Sequence, residues 1–260
     1  MEKDKYLVFD TEVCNCPKID GQLDVANGQV YDLGLQIVDK EGYIYDEYSI
    51  VNEDVFFGMP DAMREAYFAD KIPQYLDDMR MGKRKILNTW QIYKLIRQLC
   101  EEWKVKACIA HNARFDLKVL NATLRYQTKS KRRWFFPFGM EIWDTMKMAN
   151  DTICKQKSYI EFCKENGYMT NHATPQVRKT AEILWRYMTG DVTFEEEHTG
   201  LADVTIEAQI FAECVRQHKK MEKLAELDEG DRGHLPPSSF PPCNRGRPAK
   251  LYTVYFQNNT

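Results

Sequence analysis

Asp10 and Glu12 form the first of three short acidic motifs whose residue types and spacing could do chemistry. They follow the apolar run at 6–9, and because side chains alternate along a strand, both carboxylates would lie on one face of a sheet. Two carboxylates held a few ångströms apart repel each other unless something neutralises their charge. The pair is therefore either solvated at a sheet edge or part of a charged site.

Asn112 and Asp116 form the second motif, directly after the apolar run at 107–110. Asp116 would fall near the first turn of the next helix, where the helix dipole favours a negative charge. Asn112 is suited to cap that helix. Both residues thus have a simple structural interpretation beside a functional one.

His198 and Asp203 form the third motif, with Gly200 between them. On one continuous helix a spacing of five residues separates two side chains by about 140°, so they would point to different faces. If His198 instead lies in the loop before the helix and Asp203 in its first turns, both can face one pocket. The alternative is that His198 is a surface or structural histidine.

In this order and context, the three motifs resemble those of the DEDDh (DnaQ-like) 3′–5′ exonuclease family. The chain is similar in this respect to the proofreading subunit of bacterial DNA polymerase III, to ribonuclease T and to oligoribonuclease. The resemblance covers about residues 5–217. The tyrosine-containing branch of the superfamily would have a tyrosine where this chain has Thr199.

This resemblance implies a metal-dependent 3′–5′ exonuclease that releases 5′-mononucleotides. Asp10, Glu12 and Asp203 would hold one of two Mg²⁺ or Mn²⁺ ions, with Asp10 bridging to the second. Asp116 would orient the attacking water. His198 would be the general base, because the ordinary imidazole pKa of about 6.5 lies near working pH.

The substrate implied is single-stranded nucleic acid, with DNA preferred over RNA and with replication or repair proteins as candidate partners. An RNA-directed exoribonuclease and a non-catalytic nucleic-acid-binding protein are the alternatives. Main-chain groups around Thr11 and Val13 would contact the terminal nucleotide, and Asn112 is a further candidate contact with the nucleic acid. Phe115 is either a stacking group in the cleft or part of the core.

Two positive segments and a basic tail are further candidates for nucleic-acid contact. The segment at 129–136 interleaves cations with aromatic side chains, which is typical of single-strand binding. Its candidate contacts are Lys131, Arg132, Arg133 and Trp134. The segment at 80–85 is either a second contact or a solvated charged face. In the tail, Arg245 and Arg247 flank a glycine, and this sequence is similar to an AT-hook; a plain basic linker is the alternative.

The elements that must position these residues alternate between strand-like and helical patterns. Strands are predicted at 5–10, 29–38, 43–51, 107–110 and near 141–143; helical patterns cover 60–104, 113–127 and much of 145–217. This order, with the resemblance, predicts a ribonuclease H-like α/β fold, with a mixed five-stranded sheet flanked by helices. We expect an exonuclease domain over 1–218 and a Pro-rich C-terminal extension over 219–260.

Composition places the chain among ordinary globular proteins, with 260 residues, 43% of them hydrophobic and 29% charged. No run approaches the length of a membrane span, and the N-terminus lacks the apolar core of a signal peptide. We therefore expect a cytoplasmic protein without a membrane partner and with reduced cysteines. The net charge of −3 does not exclude nucleic acid, since bound divalent cations would offset a local acidic cluster.

Overall fold

The computed structural model of the chain describes residues 3–19, 22–130 and 132–226, with side chains throughout except at 15–19 and 22–27. Lys131, Arg245 and Arg247, three of the predicted nucleic-acid contacts, lie outside the described residues.

A mixed sheet forms the centre of the described chain. Its strands are β1 (Tyr6–Ile19), β2 (Gln22–Val38), β3 (Ile44–Asn52), β4 (Lys85–Leu87), β5 (Ala107–Ala110) and β6 (Glu141–Asp144). They lie in the order β4-β3-β2-β1-β5-β6. β1, β2 and β3 pair antiparallel, whereas β4 runs parallel to β3, β5 to β1, and β6 to β5. The predicted mixed sheet is confirmed.

The sheet has six strands rather than the predicted five. The additional strand, β4, lies in the region 60–104 that the sequence pattern assigned to helix. Three residues are too few to show the period-2 pattern by which a strand is recognised in sequence. β1 and β2 are also longer than predicted, with 14 and 17 residues, because they continue together as a paired ribbon.

Helices cover both faces of the sheet. They are α1 (Glu53–Phe56), α2 (Pro60–Arg64), α3 (Ile72–Arg80), α4 (Thr89–Glu102), α5 (Ala113–Thr128), α6 (Thr145–Asp151), α7 (Lys157–Glu165), α8 (Ala181–Thr189) and α9 (Gly200–Arg216). Short 3₁₀ helices form at Ala69–Lys71 and Ile153–Lys155. α5 matches the predicted helix at 113–127 to within a residue.

Alternation along β1 decides which face each of its side chains meets. Leu7 and Phe9 are fully buried in the hydrophobic core that includes α4 and α5. Tyr6 and Val8 are buried in the opposite core, which includes α9. Continuing this alternation, the next even-numbered residues of β1 are directed toward α9 and the odd-numbered ones toward α5.

Near the end of the described chain, residues 223–225 run along the β6 edge of the sheet. The Asp144 N–H donates to the Lys223 carbonyl at 2.7 Å, and the Ala225 N–H donates to the Ile142 carbonyl at 2.9 Å. Among the helices of the described chain, none has the length and apolar character that crossing a membrane requires.

Candidate active site

The carboxyl end of β1 carries the first acidic pair. Asp10 and Glu12 continue the face set by Val8 and are directed toward α9. Both are half-buried and line a cleft of about 370 Å³. Thr11 lies between them, is directed to the other side of β1 and is buried.

Asp116 lies in the first turn of α5, as the sequence predicts, and is buried. The Thr11 hydroxyl donates to Asp116 Oδ1 at 2.7 Å, which ties this carboxylate to the end of β1. Asn112 differs from the expectation of an ordinary cap. It occupies the N-cap position in a left-handed conformation, with φ of 63°, and its side chain makes no capping hydrogen bond. Its side chain instead lines the cleft.

His198 lies in the loop before α9, and Asp203 lies in the first turn of that helix. A left-handed backbone at His198, with φ of 47°, turns the loop into the helix. As a result both side chains line the cleft with Asp10 and Glu12. One ligand atom each from Glu12, His198 and Asp203 lies within 4.8 Å of the others.

The start of α9 is held against β2 by direct contact between two glycine backbones. A Cβ added at Gly34 would lie 2.0 Å from the Gly200 carbonyl oxygen, far inside any real contact. Only glycine at both positions allows this approach. Because His198 and Asp203 flank Gly200, the contact determines how deeply both side chains reach into the cleft.

A buried ion pair anchors the same helix terminus. Asp32 is fully buried on β2, directly opposite Glu12 of β1, and accepts the Gly200 N–H at 3.0 Å. Its carboxylate also accepts the Tyr75 hydroxyl at 2.6 Å and Arg84 Nη1 at 2.9 Å. Arg84 belongs to the positive segment at 80–85, for which a solvated face was one interpretation, but it is buried with Asp32. This network was not predicted, because its members come from β2, α3, the turn before β4 and α9, which are far apart in the sequence.

Further side chains that the sequence did not single out also line the cleft. They are Phe68, Met146, Thr180, Ala181, Glu196 and Glu207, together with His111 of the second motif. Glu207 is the informative member, because it is a buried carboxylate on α9 with only 3% of its surface exposed. Its spacing of four from Asp203 was the available signal, since residues four apart share one face of a helix.

Burial and mutual repulsion raise the pKa of every carboxyl group in the cluster. The pKa of Glu12 rises to about 9, mainly through burial and then through the Asp203 and Asp32 charges. The pKa of Asp203 rises to about 8 and that of Asp116 to about 7, in both cases mainly through burial. For Asp10 and Glu207, burial and neighbouring carboxylates also raise the pKa.

Three carboxylate oxygens of the cluster are buried and have no hydrogen-bond partner among the described residues. They are Asp10 Oδ2, Asp203 Oδ1 and Glu207 Oε2. A buried acceptor without a partner costs free energy, and the cost is larger when the group is charged. Hard divalent cations prefer such oxygen ligands. The donor set therefore fits the Mg²⁺ or Mn²⁺ ions that the sequence predicts.

The two histidines in the cleft differ in whether their ring nitrogens already have hydrogen-bond partners. His111 uses both, with Nδ1 2.9 Å from Thr145 Oγ1 and Nε2 2.7 Å from the Lys179 carbonyl oxygen. His198 is half-buried and stacks on the Phe68 ring. Burial and then the nearby Lys71 charge lower the His198 pKa, which keeps this imidazole neutral and able to accept a proton.

The predicted nucleic-acid contacts are divided between the cleft and other places. Asn112 lines the cleft. The Phe115 side chain packs against the hydrophobic core on the α5 side of the sheet, and so does the side chain of Val13, whose predicted contact is through the main chain. The Thr11 hydroxyl is used by Asp116. Phe56 and Phe57 are buried in a core beside α1 and α3.

The described part of the positive segment after α5 lies away from the cleft. Arg132 and Arg133 are exposed, and Trp134 packs partly against the core. Twelve residues of helix separate Asp116 from Thr128, a rise of about 18 Å. The Arg133 guanidinium lies over the Trp90 ring, 4.8 Å from its centroid. A single strand of nucleic acid bound in the cleft would have to extend along α5 to reach this surface.

Comparison with known proteins identifies similar structures. No family model and no curated protein sequence matches the chain. A full-length 3′-exonuclease is similar over 93% of this chain and 94% of its own, with 13% identity and a TM-score of 0.55. A 3′-exonuclease that recognises the 3′ end of the histone mRNA stem-loop is similar over 91% of this chain and 75% of its own, with 13% identity and a TM-score of 0.51. The chain thus has the ribonuclease H-like α/β fold of these 3′-exonucleases.

Proposed function

We propose that the protein is a metal-dependent 3′–5′ exonuclease that hydrolyses phosphodiester bonds at the 3′ ends of single-stranded nucleic acid, with DNA preferred. The observation that carries this proposal is the convergence of Asp10, Glu12, Asp203 and His198 in one cleft, with buried carboxylate oxygens that have no partner among the described residues. We propose trimming of DNA ends in replication or repair as the setting.

The carboxylates would hold the metal ions. Asp10, Glu12, Asp116 and Asp203 offer oxygen ligands, which suits Mg²⁺ or Mn²⁺. When bound, two divalent cations would neutralise the phosphate charge and activate water. The raised carboxyl pKa values mean that these side chains must lose protons as the ions bind.

His198 would remove the proton from the attacking water. It has the lowered pKa that a base working near neutral pH needs, and it lies beside Glu12 and Asp203, where the scissile phosphate would be held. His111 is a poorer candidate for this step, since both of its ring nitrogens already have partners. The Thr11–Asp116 hydrogen bond would keep the end of β1 in register with α5.

A direct test compares the wild type with Asp10→Asn on strands labelled at one end. Matched single-stranded DNA and RNA, with the label at the 5′ end, should yield a ladder of shortened products with Mg²⁺ and none with EDTA. Asp10→Asn should abolish the ladder, whereas Asp61→Asn, a change of an exposed carboxylate on α2, should not. A wild-type ladder of equal strength in EDTA would contradict the metal-dependent proposal.

RNA is the second candidate substrate, because a similar structure is that of a 3′-exonuclease that recognises an mRNA stem-loop. The same experiment separates the two sugars. Faster shortening of RNA than of the matched DNA would make the protein an exoribonuclease and would reject the DNA preference.

A further inference from the structure

Two carboxylates in the cleft, Glu196 and Glu207, lie outside the three acidic motifs, and Glu207 is the more deeply buried of the two. From its position we infer that Glu207 is an additional metal ligand, which forms an inner pair of carboxylates with Asp10. This inference rests on the proposed function, since it names a further ligand for the ions of the same site.

The helix geometry directs Glu207 into the site. It follows Asp203 by four residues on α9, so the two side chains share one face of the helix with a rise of about 6 Å between them. Only 3% of the Glu207 surface is exposed, and its side chain lines the cleft. Glutamate is rarely buried to this extent unless its charge is paired.

The partners of Glu207 leave one of its oxygens free for a ligand. The His111 backbone N–H donates to the carboxylate. Oε2 is buried and has no hydrogen-bond partner among the described residues. Asp10 Oδ2 is likewise buried and has no hydrogen-bond partner among those residues. Two buried acceptors without donors, on side chains that meet in one cleft, are what a bound cation would satisfy.

The charges around Glu207 are negative. Among the neighbouring charges that raise the Asp10 pKa, that of Glu207 has the largest effect, followed by those of Asp116, Glu12 and Asp203. The neighbouring charges that raise the Glu207 pKa are chiefly those of Asp116 and Asp203. Lys71 offsets part of this charge at Glu12 and Asp203, but a cluster with this many carboxylates needs further positive charge when its members ionise.

The cluster thus divides into two groups of ligands. Glu12 and Asp203 form an outer group beside His198, the proposed base; one ligand atom from each of the three lies within 4.8 Å of the others. Asp10 and Glu207 line the same cleft, each with a buried oxygen that has no partner among the described residues, and they form the inner group. Paired catalytic ions lie about 3.5–4 Å apart, so two adjoining ligand groups are what such a pair requires. Glu207 supplies the inner ion with a ligand that the three acidic motifs do not contain.

Mn²⁺ binding to the full chain tests this inference without relying on activity. We would titrate the wild type, Glu207→Gln and the control Glu213→Gln with Mn²⁺, measuring free ion by electron paramagnetic resonance. Glu213 lies on the same helix but pairs with Arg216. We expect two ions in the wild type and in the control, and loss or at least tenfold weakening of one ion in Glu207→Gln.

The outcomes separate the inference from the proposed function. If the wild type neither binds Mn²⁺ nor shortens a strand, the proposed function fails. If the wild type does both and Glu207→Gln binds two ions with unchanged affinity, Glu207 is a structural acid and only this inference fails. Thermal unfolding without metal checks that Glu207→Gln folds. If it does not, Glu207→Asp keeps the charge with a shorter reach, and unchanged Mn²⁺ binding by that variant overturns the inference.

Discussion

The Phe68 ring stacks on the imidazole of His198, with centroids 4.6 Å apart and ring planes 16° apart. Phe68 comes from the segment between α2 and α3, far along the chain from His198. Lys71 in the same segment donates to the Glu197 carbonyl, next to His198. This segment therefore covers the loop before α9, shields the imidazole from water and keeps its pKa low.

Replacing Phe68 should expose His198 to water. We expect Phe68→Ala to lower kcat about tenfold, because the imidazole loses its stacking partner and its fixed orientation. Since burial lowers the His198 pKa, exposure should raise it toward its ordinary value, and the acid limb of the pH–rate profile should shift to higher pH. The control is Tyr67→Ala, which removes a neighbouring aromatic ring that is 80% exposed. A profile identical to that of the wild type would reject the shielding role.

His198→Ala should reduce turnover by about 10²–10⁴, the usual contribution of a general base. Folding should be retained, because His198 lies in a loop and is only half-buried. Turnover at saturating Mg²⁺ and Mn²⁺ binding should be measured on the same preparation. Loss of activity with two bound ions supports a base, whereas loss of one ion would make His198 a ligand instead.

Gly34→Ala should displace the start of α9. Its Cβ would fall 2.0 Å from the Gly200 carbonyl oxygen, and both partners of that contact are backbone. We expect a loss of about 3 kcal/mol in the free energy of unfolding, at the upper end for overpacking of a core. Urea unfolding measures this directly. The loss of activity should be larger than the unfolded fraction alone explains, because His198 and Asp203 move with the helix.

Arg84→Met should destabilise the protein by about 3–5 kcal/mol, since it leaves Asp32 buried without its cationic partner. The matched control is Lys83→Met, which changes an exposed neighbour in an open ion pair with Asp78 and should cost less than about 1 kcal/mol. Equal unfolding midpoints for the two variants would show that Asp32 does not depend on Arg84.

The metal-free protein should lose stability as the pH rises from about 4 to 9. Glu12 and Asp203 have folded-state pKa values of about 9 and 8, above their ordinary values. The folded state therefore binds more protons, and the stability contributed by these protonated acids is present at low pH and lost as the pH rises through those values. Added Mn²⁺ should reverse the loss at high pH.

The measurement is thermal unfolding in EDTA and in Mn²⁺ across this range. A variant carrying Glu12→Gln and Asp203→Asn should show a smaller fall in Tm between pH 5 and 9 than the wild type, and little response to Mn²⁺. The same pH dependence in this variant and in the wild type would show that other groups control it.

The sequence by itself determined the parts of this protein that local periodicity controls. Alternation along β1 was sufficient to place Asp10 and Glu12 on one face, and the pattern at 113–127 was sufficient to locate α5 with Asp116 in its first turn. The mixed sheet followed from the order of strand-like and helical segments. These features depend on residues within one element, where the spacing of residues along the chain fixes the direction in which their side chains point.

Only the tertiary structure decided which distant residues meet. The Gly34–Gly200 contact, the Asp32–Arg84 pair and the Phe68–His198 stack each join segments more than 50 residues apart, so no local pattern could reveal them. Burial is likewise a property of the assembled fold. It places Phe115 against the core, makes Arg84 part of a buried ion pair and turns Glu207 from an ordinary helix glutamate into a buried carboxylate that lines the cleft with Asp10.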